Sequence, residues 1–381
     1  MKFNLGHSLG FLLSINLLFS CQNSSNQASL SQESKGENSQ TTSIAKSSSP
    51  EHQTDTNTLT NILTKSNFIN QMNQWNGKAL FIKVNDQKKP NQFTYYYYNS
   101  IYQDTNNNQI QDSSDQGFFN PASTVKVGLS ALVLEKLNQK KLGRETEYRI
   151  MGTSQWYAIS EDIKKALVIS DNEATNRLIL FLGFDYLNQQ MRQKDISSFT
   201  VNRLMLNKGT RVNSPGLELR FKGKIIQQPV QKVSQKFACF EVKEKLGNCA
   251  NATDLAEILI RIVQPDVYPA KQRFNIQDKD RLWLQEIMSQ TPKKAGFDYP
   301  NTYCRFLDPL GQKIASQKGK LLNKCGIGLF SHTFVDTSFL QTDQGDKYYI
   351  VFVLNPPQNI SQSQSVDWMN QVTEIILPQV K

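Results

Sequence analysis

The sequence predicts an α+β fold, with one antiparallel sheet built from both ends of the chain and a helical middle between them. Two strand-like runs lie near the start of the folded part, at Lys78–Val84 and Phe93–Tyr98. Two more lie near the end, at Ser331–Gln341 and Lys347–Leu354. Between these pairs, apolar residues recur at helical spacing. Strands from both termini around a helical middle favour one shared sheet with helices packed beside it.

The predicted helices share this apolar period and lie at Leu59–Trp75, Ser123–Asn138, Glu161–Ile169, Glu173–Leu182, Ala252–Val263, Asp280–Gln290 and in a closing helix through Val366, Met369, Val372 and Ile376. The run Tyr95–Tyr98 is either an aromatic binding strip or a strand with both faces covered. Such runs more often form strands, so we expect these tyrosines in the core.

The composition excludes several classes of protein. A hydrophobic share of 38% in 381 residues is enough to fill a core, so the chain is not disordered throughout. Of the three histidines, His7 and His52 lie outside the predicted domain, which argues against a zinc site built on several histidines. We expect no metal and no cofactor. The net charge of +10 suits an anionic wall or membrane surface.

The N-terminus predicts export. Lys2 precedes an apolar run, Leu9–Phe19, which is too short for a permanent membrane span and is typical of a signal peptide over residues 1–20. The run ends in Leu18-Phe19-Ser20-Cys21, which resembles the bacterial lipobox; an ordinary secretory signal is the alternative. We expect an exported lipoprotein, anchored to a lipid membrane through Cys21 and facing the periplasm or the cell surface. Export argues against nucleic acid as a partner.

Residues 21–58 are predicted to form a flexible tether. Ten of the 37 residues from 22 to 58 are serine, and large apolar residues are scarce. A segment that buries little apolar area cannot offset the entropy cost of ordering its chain. No second shift in composition follows, so residues 59–381 are predicted to form one domain, which we expect to act as a monomer.

A first candidate for chemistry is the start of a predicted helix, Asn120-Pro121-Ala122-Ser123-Thr124-Val125-Lys126. Asn120 suits a helix cap, and Pro121 suits the first turn. Ser123 and Lys126 are three residues apart, so their side chains share one face of the helix. A serine hydroxyl becomes a nucleophile when a neighbouring base takes its proton, and a buried lysine with a lowered pKa can be that base. Alone, this pair is a weak signal.

Two further motifs follow in order: Ser170-Asp171-Asn172 at a break between two predicted helices, and Lys324-Cys325-Gly326 at the start of a strand-like run. With these three motifs the sequence resembles the serine β-lactamases and penicillin-binding enzymes, most closely the class A β-lactamases. That family carries Ser-x-x-Lys, Ser-Asp-Asn and Lys-Thr/Ser-Gly on a helix, a loop and a sheet edge. The resemblance covers residues 59–381 and implies a β-lactamase/transpeptidase-like fold.

The resemblance implies catalytic roles for four of the matching residues. Ser123 would attack the carbonyl carbon and become acylated, while Lys126 takes its proton directly or through water. Ser170 would relay a proton to the departing nitrogen. Asn172 would bind the amide side chain of the substrate and help to place Lys126. Asp171 would hold its loop rather than react.

The resemblance also implies a substrate-binding strand formed by Lys324, Cys325, Gly326 and Ile327. Lys324 would attract the carboxylate that β-lactams and D-alanyl peptides share, and the backbone N–H groups of Ser123 and Ile327 would form the oxyanion hole. Cys325 stands where the family has a hydroxyl residue that binds this carboxylate. Because a thiol is a poorer donor, we expect carboxylate binding to weaken by about 1 kcal/mol.

A second departure concerns release of the acyl group. Class A enzymes use a glutamate in a Glu-x-x-Leu-Asn loop to activate water, and the nearest match here is Arg203-Leu204-Met205-Leu206-Asn207. Arginine stays protonated and cannot act as a general base. Glu218 is the nearest alternative carboxylate, although acidic residues are mostly solvated. Either another carboxylate activates the water or deacylation is slow.

Four cysteines fall within the predicted domain, which allows three disulfide connectivities among Cys239, Cys249, Cys304 and Cys325. An oxidising compartment favours at least one disulfide. Cys239 and Cys249 could close a short loop, and Cys304 and Cys325 are then the other pair. Cys325 as a second nucleophile is disfavoured because no histidine is adjacent in sequence, and His332 is expected to be structural.

Three functions are compatible with these residues. The first is a serine acyl-hydrolase that opens β-lactam rings. The second is a wall enzyme that resembles D-alanyl-D-alanine peptidases, and the third is a penicillin-binding or sensing module with little turnover. The expected partner is therefore a β-lactam or a D-alanyl peptide.

Overall fold

The main sheet joins the two ends of the chain, as the sequence predicts. The computed structural model describes residues 50–86, 88–100, 117–235, 237, 239, 247–314, 318–328 and 332–380. The strands are β1 Glu51–Asp55, β2 Lys78–Asp86, β3 Lys89–Asn99, β4 Glu147–Ile150, β5 Tyr157–Ala158, β6 Leu217–Phe221, β7 Lys224–Gln228, β8 Lys320–Gly328, β9 Thr333–Gln341 and β10 Lys347–Leu354. The helices are α1 Asn57–Lys65, α2 Ile69–Gln74, α3 Val125–Gln139, α4 Ile159–Val168, α5 Asn172–Leu182, α6 Phe184–Gln193, α7 Ala252–Val263, α8 Asp278–Ser289, α9 Asp308–Ile314 and α10 Gln362–Ile376.

The six strands of this sheet lie in the order β1-β3-β2-β10-β9-β8. Strands β2 and β10, from opposite ends of the chain, pair antiparallel at its centre. Only the β1–β3 pair is parallel within the described part of the sheet. The arrangement is the predicted α+β, β-lactamase/transpeptidase-like fold, and it places β8 at a free edge.

Both faces of the sheet are covered, because successive side chains of a strand point to opposite sides. In β10, Tyr349 and Val351 pack into the core that contains α3, whereas Ile350 and Phe352 pack on the other face beside α10. The tyrosine run of β3 divides in the same way, with Tyr95 in the first core and Tyr96 in the second. These tyrosines form a covered strand, as expected.

Helix α3 lies inside the larger core. All of its residues from Val125 to Leu137 are buried, and a helix that is enclosed on every side cannot shift without repacking its neighbours. The Ser123 and Lys126 positions at its start are therefore held by the most enclosed helix of the domain.

Regular structure begins before Leu59, where the sequence predicts the boundary between tether and domain. Residues 51–58 form β1 and the start of α1, so the folded part begins before Leu59. Strand β1 is held by backbone pairing with Gln92–Tyr96, which needs no apolar side chains, and composition does not reveal it. Asp55 then accepts hydrogen bonds from the N–H groups of Asn57 (3.0 Å) and Thr58 (2.9 Å), which fixes the entry to α1.

The predicted helix over Leu59–Trp75 is instead two helices, α1 and α2. Asn67 lies between them with a φ of 62°, a left-handed conformation that asparagine tolerates and that ends a helix. Apolar spacing continues across the break, so the spacing alone predicts a single helix.

The sequence predictions for residues 1–20, Cys21 and the tether up to residue 49 lie outside the described residues. Within the ranges that the structure covers, no helix combines the length and the apolar character needed to cross a membrane.

Candidate active site

The turn before α3 carries Ser123. Asn120 accepts a hydrogen bond from the N–H of Ala122 at 3.0 Å, and both the N–H and the hydroxyl of Thr124 donate to the carbonyl of Pro121, at 3.0 and 2.6 Å. Ala122 has a φ of 47°, which is strained for a residue with a Cβ. Strain of this kind persists only where the surrounding structure imposes it. The strained turn places the half-buried Ser123 at the start of the helix.

Lys126 lies one turn further along and is fully buried. Its Nζ donates to the carbonyl of Ser170 at 2.6 Å, to the Ser170 hydroxyl at 3.1 Å and to Oδ1 of Asn172 at 2.9 Å. Burial lowers the pKa of Lys126 well below its ordinary value, and the nearby Lys324 ammonium lowers it further, while Asp171 acts in the opposite direction. A neutral amine that can accept a proton is therefore favoured at this position.

The loop that supplies Ser170 is fixed by the helix that follows it. Asp171 caps α5 by accepting from the N–H of Ala174 at 2.7 Å, the loop-holding role that the sequence predicts. Ser170 has a φ of 56°, so the chain turns sharply there and directs both its carbonyl and its hydroxyl at Lys126.

Lys324, on β8, also contacts the hydroxyl of Ser170. Its Nζ lies 3.1 Å from the Ser170 Oγ, and the Lys126 Nζ lies at the same distance on its own side. Burial lowers the pKa of Lys324 to about 7, with Asp336 acting in the opposite direction. Two buried amines with lowered pKa values thus share one hydroxyl, an arrangement suited to passing protons along a short chain.

Gly326 brings β8 against the Ser123 turn. A Cβ at this position would lie 2.8 Å from the backbone N of Ser123 and 2.8 Å from the carbonyl of Pro121, closer than such atoms pack. Only glycine allows this approach, and this steric requirement explains the glycine in the third motif. It sets the distance between strand and serine.

These elements surround a cavity lined by Asn120, Ala122, Ser123, Asn172, Arg203, Leu204, Met205, Leu206, Asn248, Ile327 and Gly328. None of these lining residues, in the part of the chain that the structure describes, is acidic. Arg203 lines the cavity, as its position in the predicted loop requires.

The loop of Arg203–Leu206 is held through its backbone. The amide of Asn248 accepts from the N–H of Arg203 at 3.0 Å, and Oδ1 of Asn176 accepts from the N–H of Met205 at 2.6 Å. Leu206 is left-handed, with a φ of 56°, and half-exposed at the cavity. Sequence reasoning missed Asn248 and Asn176, because an isolated asparagine carries no signal until the fold brings it beside a loop.

Cys325 does not fit its expected role as a thiol donor. It is bonded to Cys304, and its side chain is fully buried and does not line the cavity. A disulfide sulfur has no hydrogen to donate, so carboxylate binding cannot use this side chain as a donor. The other two cysteines, Cys239 and Cys249, are also paired, and this settles the connectivity that the sequence leaves open.

Two other candidates lie elsewhere. Glu218 is on β6 in a second sheet, ordered β5-β4-β6-β7, and pairs with Arg149 at 2.6 Å rather than lining the cavity. His332 has its Nδ1 2.8 Å from the carbonyl of Pro356 and packs edge-on against Phe334. Glu218 is therefore not placed to activate water, and the contacts of His332 are structural ones.

The sequence profile of the Beta-lactamase enzyme family matches residues 82–380. The chain belongs to this family. Membership makes it a β-lactamase-like hydrolase, in agreement with the three motifs. No curated protein sequence matches the chain.

Solved structures show the same fold at low sequence identity. PBP-A aligns with a TM-score of 0.53 and 17% identity, over 87% of this chain and 98% of its own. The chromosome-encoded β-lactamase of Vibrio parahaemolyticus aligns at 0.54 and 12%, over 84% and 99%. A β-lactamase from Xanthomonas campestris pv. campestris aligns at 0.56 and 13%, over 85% and 99%. At these identities the likeness establishes the fold alone.

Proposed function

We propose that the protein is a serine acyl-hydrolase that opens β-lactam rings through Ser123 and releases the product slowly. The observation that carries this proposal is the Ser170 hydroxyl, held 3.1 Å from both the Lys126 and the Lys324 Nζ atoms beside the serine turn. The neutral Lys126 takes the proton of Ser123 as its Oγ attacks the carbonyl carbon. Ser170 then passes a proton to the departing nitrogen.

The charge that develops on the carbonyl oxygen needs donors at the start of α3. The N–H groups of Ser123 and Ile327 are the proposed pair, because Gly326 allows the strand to approach the Ser123 nitrogen closely. Lys324 is proposed to attract the substrate carboxylate. Asn172, which lines the cavity, is proposed to bind the amide group of the substrate.

Slow release follows from the cavity lining. Hydrolysis of the acyl group needs a base that activates water, and Arg203 cannot be that base. The described lining contributes no carboxylate in its place. A variant of PBP-A has been solved as an acyl-enzyme complex with penicillin G, which supports stable acylation on this fold.

Intact mass measured over time after mixing with benzylpenicillin tests the proposal. We expect an adduct that adds the mass of one whole penicillin molecule, forms quickly and persists. Steady-state hydrolysis should be weak and preceded by a burst equal to the enzyme concentration. Formation of no adduct would move the protein to the class of non-covalent binding modules. Fast hydrolysis without a burst would contradict slow release.

A second candidate is a D-alanyl-D-alanine peptidase-like wall enzyme. The lack of an acidic lining residue in the described cavity favours it, because such an enzyme can pass its acyl group to an amine without a water-activating carboxylate. A peptide that ends in D-alanyl-D-alanine distinguishes the two, since only this candidate releases D-alanine at a useful rate.

We further propose that Cys21 is lipidated and anchors the protein to a membrane, so that the protein faces the periplasm or the cell surface. Leu18, Ser20 and the serine-rich segment after Cys21 support this. In the Cys21→Ser variant the protein should move from the membrane fraction to the soluble fraction after cell breakage, as followed by immunoblot. Unchanged membrane association would contradict lipidation at this residue.

A further inference from the structure

The ammonium of Lys324 has all of its hydrogens in use. Its Nζ donates to the Ser170 Oγ at 3.1 Å, to the carbonyl of Cys325 at 3.0 Å and to the sulfur of Cys304 at 3.2 Å. An ammonium has three N–H donors, and the side chain is fully buried. A substrate carboxylate can bind this nitrogen only by displacing one of the three acceptors.

The sulfur of Cys304 is the weakest of these acceptors. Sulfur accepts hydrogen bonds poorly compared with a hydroxyl or a carbonyl oxygen, whereas a bond from an ammonium to a carboxylate is charge-assisted and strong. Exchange of sulfur for a carboxylate oxygen therefore gains more than exchange of either oxygen. The N–H of Lys324 that faces Cys304 is therefore the one that would turn to a substrate anion.

The disulfide fixes this sulfur in place. Cys304 is bonded to Cys325, the residue after Lys324, with 5.3 Å between their Cα atoms. The next residue, Arg305, is buried, donates to the carbonyls of Met288 (3.2 Å) and Gln290 (3.0 Å), and pairs with Asp308. The segment is thus tied to β8 on one side and to the domain on the other.

We propose that the Cys304–Cys325 disulfide is a positioning element for recognition of the substrate carboxylate. It keeps Lys324 against Ser170 and keeps water away from its third N–H, which faces a weak, fixed acceptor and can readily turn from it to a carboxylate. Without the bridge, water binds this N–H, and water is a better acceptor that a substrate must displace at a greater cost. The inference rests on the proposed function, since it concerns the anion of a β-lactam substrate.

The test compares two substrates on the same variants. Benzylpenicillin carries the carboxylate and its methyl ester lacks it, and the second-order rate constant of acylation is followed for each by intact mass. In Cys304→Ala/Cys325→Ala we expect the constant for the acid to fall by about tenfold or more, the worth of one charge-assisted hydrogen bond, with little change for the ester. Equal losses for both substrates would show a merely structural role and overturn the inference.

Two controls keep the result specific. Cys239→Ala/Cys249→Ala removes the other disulfide, and we expect it to leave the ratio of acid to ester constants unchanged. The Cys239→Ala/Cys249→Ala variant treated with dithiothreitol tests the same bond without a substitution at Cys304 or Cys325, should that double variant not fold. The S–S bond takes two electrons and two protons to give two thiols, while dithiothreitol gives them up and closes to its own disulfide. The reduced protein should lose the same discrimination, and unaltered discrimination would overturn the inference.

A separate readout covers failure of the proposed function. If the wild type forms no adduct with either substrate, the hydrolase proposal fails, and the titration of Lys324 in lysine-labelled protein is followed by NMR instead. Water that reaches the nitrogen relieves the burial that holds its pKa near 7. We then expect a higher pKa in Cys304→Ala/Cys325→Ala than in wild type. An unchanged pKa would overturn the positioning role.

Discussion

Replacement of Ser123 with alanine should abolish covalent labelling by a fluorescent penicillin, as read from a denaturing gel. The variant lacks the only atom of the proposed mechanism that forms a bond to the substrate, so the loss should be complete. Ser130→Ala is the matched control. It lies seven residues further along the chain, inside α3, is fully buried, and its hydroxyl has no partner in the described structure, so labelling should persist. Labelling that survives in Ser123→Ala would remove Ser123 from the mechanism.

The same experiment separates nucleophile from base. Lys126→Ala keeps the Ser123 hydroxyl, and it should bind penicillin but acylate more slowly by about 10²–10⁴-fold, the usual contribution of general base catalysis. Because burial and Lys324 lower the pKa of Lys126, its neutral form should persist at pH values at which an ordinary lysine is protonated. On the acid side, wild-type acylation should therefore decline as the pH falls through that lowered pKa. An acylation rate in Lys126→Ala equal to wild type would contradict the role.

The second large effect concerns release of the acyl group. Arg203→Glu places a carboxylate in the cavity, where it can activate a water molecule, and should speed deacylation by about 10²–10⁴-fold. Met205→Glu tests the same prediction at a second position, because Asn176 fixes the backbone of Met205 beside the same cavity. Decay of the mass adduct measures the rate in each variant.

Arg203→Gln is the control for this prediction, since it removes the positive charge without supplying a base. It should leave the adduct as long-lived as in wild type. Rapid, burst-free hydrolysis by wild type that persists in Glu218→Gln would show that an unrecognised base acts, and would contradict the assignment of slow release to Arg203.

Much of the fold could be predicted because its strongest elements are apolar. Helix α7 has the predicted bounds, since Asn251 caps its first turn and Pro265 follows shortly after its end. The central strands β2 and β10 are buried on both faces and therefore read as apolar runs.

Most of the elements that were missed carry little apolar signal. Strands β1 and β7 have exposed side chains over most of their length and are held by backbone pairing, which sequence patterns do not report. The short helix α9 and the second sheet were also absent from the prediction, and so was α6, although Phe184, Leu187 and Met191 give α6 an apolar face at helical spacing. Polar helices and short strands depend on contacts that form only in the folded domain.

Motif residues of the candidate site were predictable, whereas their partners were not. The structure links Lys126, Ser170, Asn172 and Lys324 through hydrogen bonds, and Ser123 and Asn172 line the same cavity. The disulfide of Cys325 joins it to Cys304, which lies 21 residues earlier in the sequence. Composition leaves three connectivities open, so the sequence does not decide between a Cys325 thiol at the substrate carboxylate and the disulfide with Cys304 that the structure has.

The pairing of β1 with β3 decides where a shortened form of the protein should begin. A chain that starts at Leu59, the domain start expected from composition, lacks β1 and leaves the outer backbone groups of Gln92–Tyr96 without partners. An open strand edge is a template for another chain, and natural proteins protect such edges with short polar strands. Here Glu51–Asp55 is that protective strand. Truncation at Leu59 would make β3 the edge strand and leave it open to pairing with another chain. Soluble protein for these experiments should therefore begin at or before Pro50.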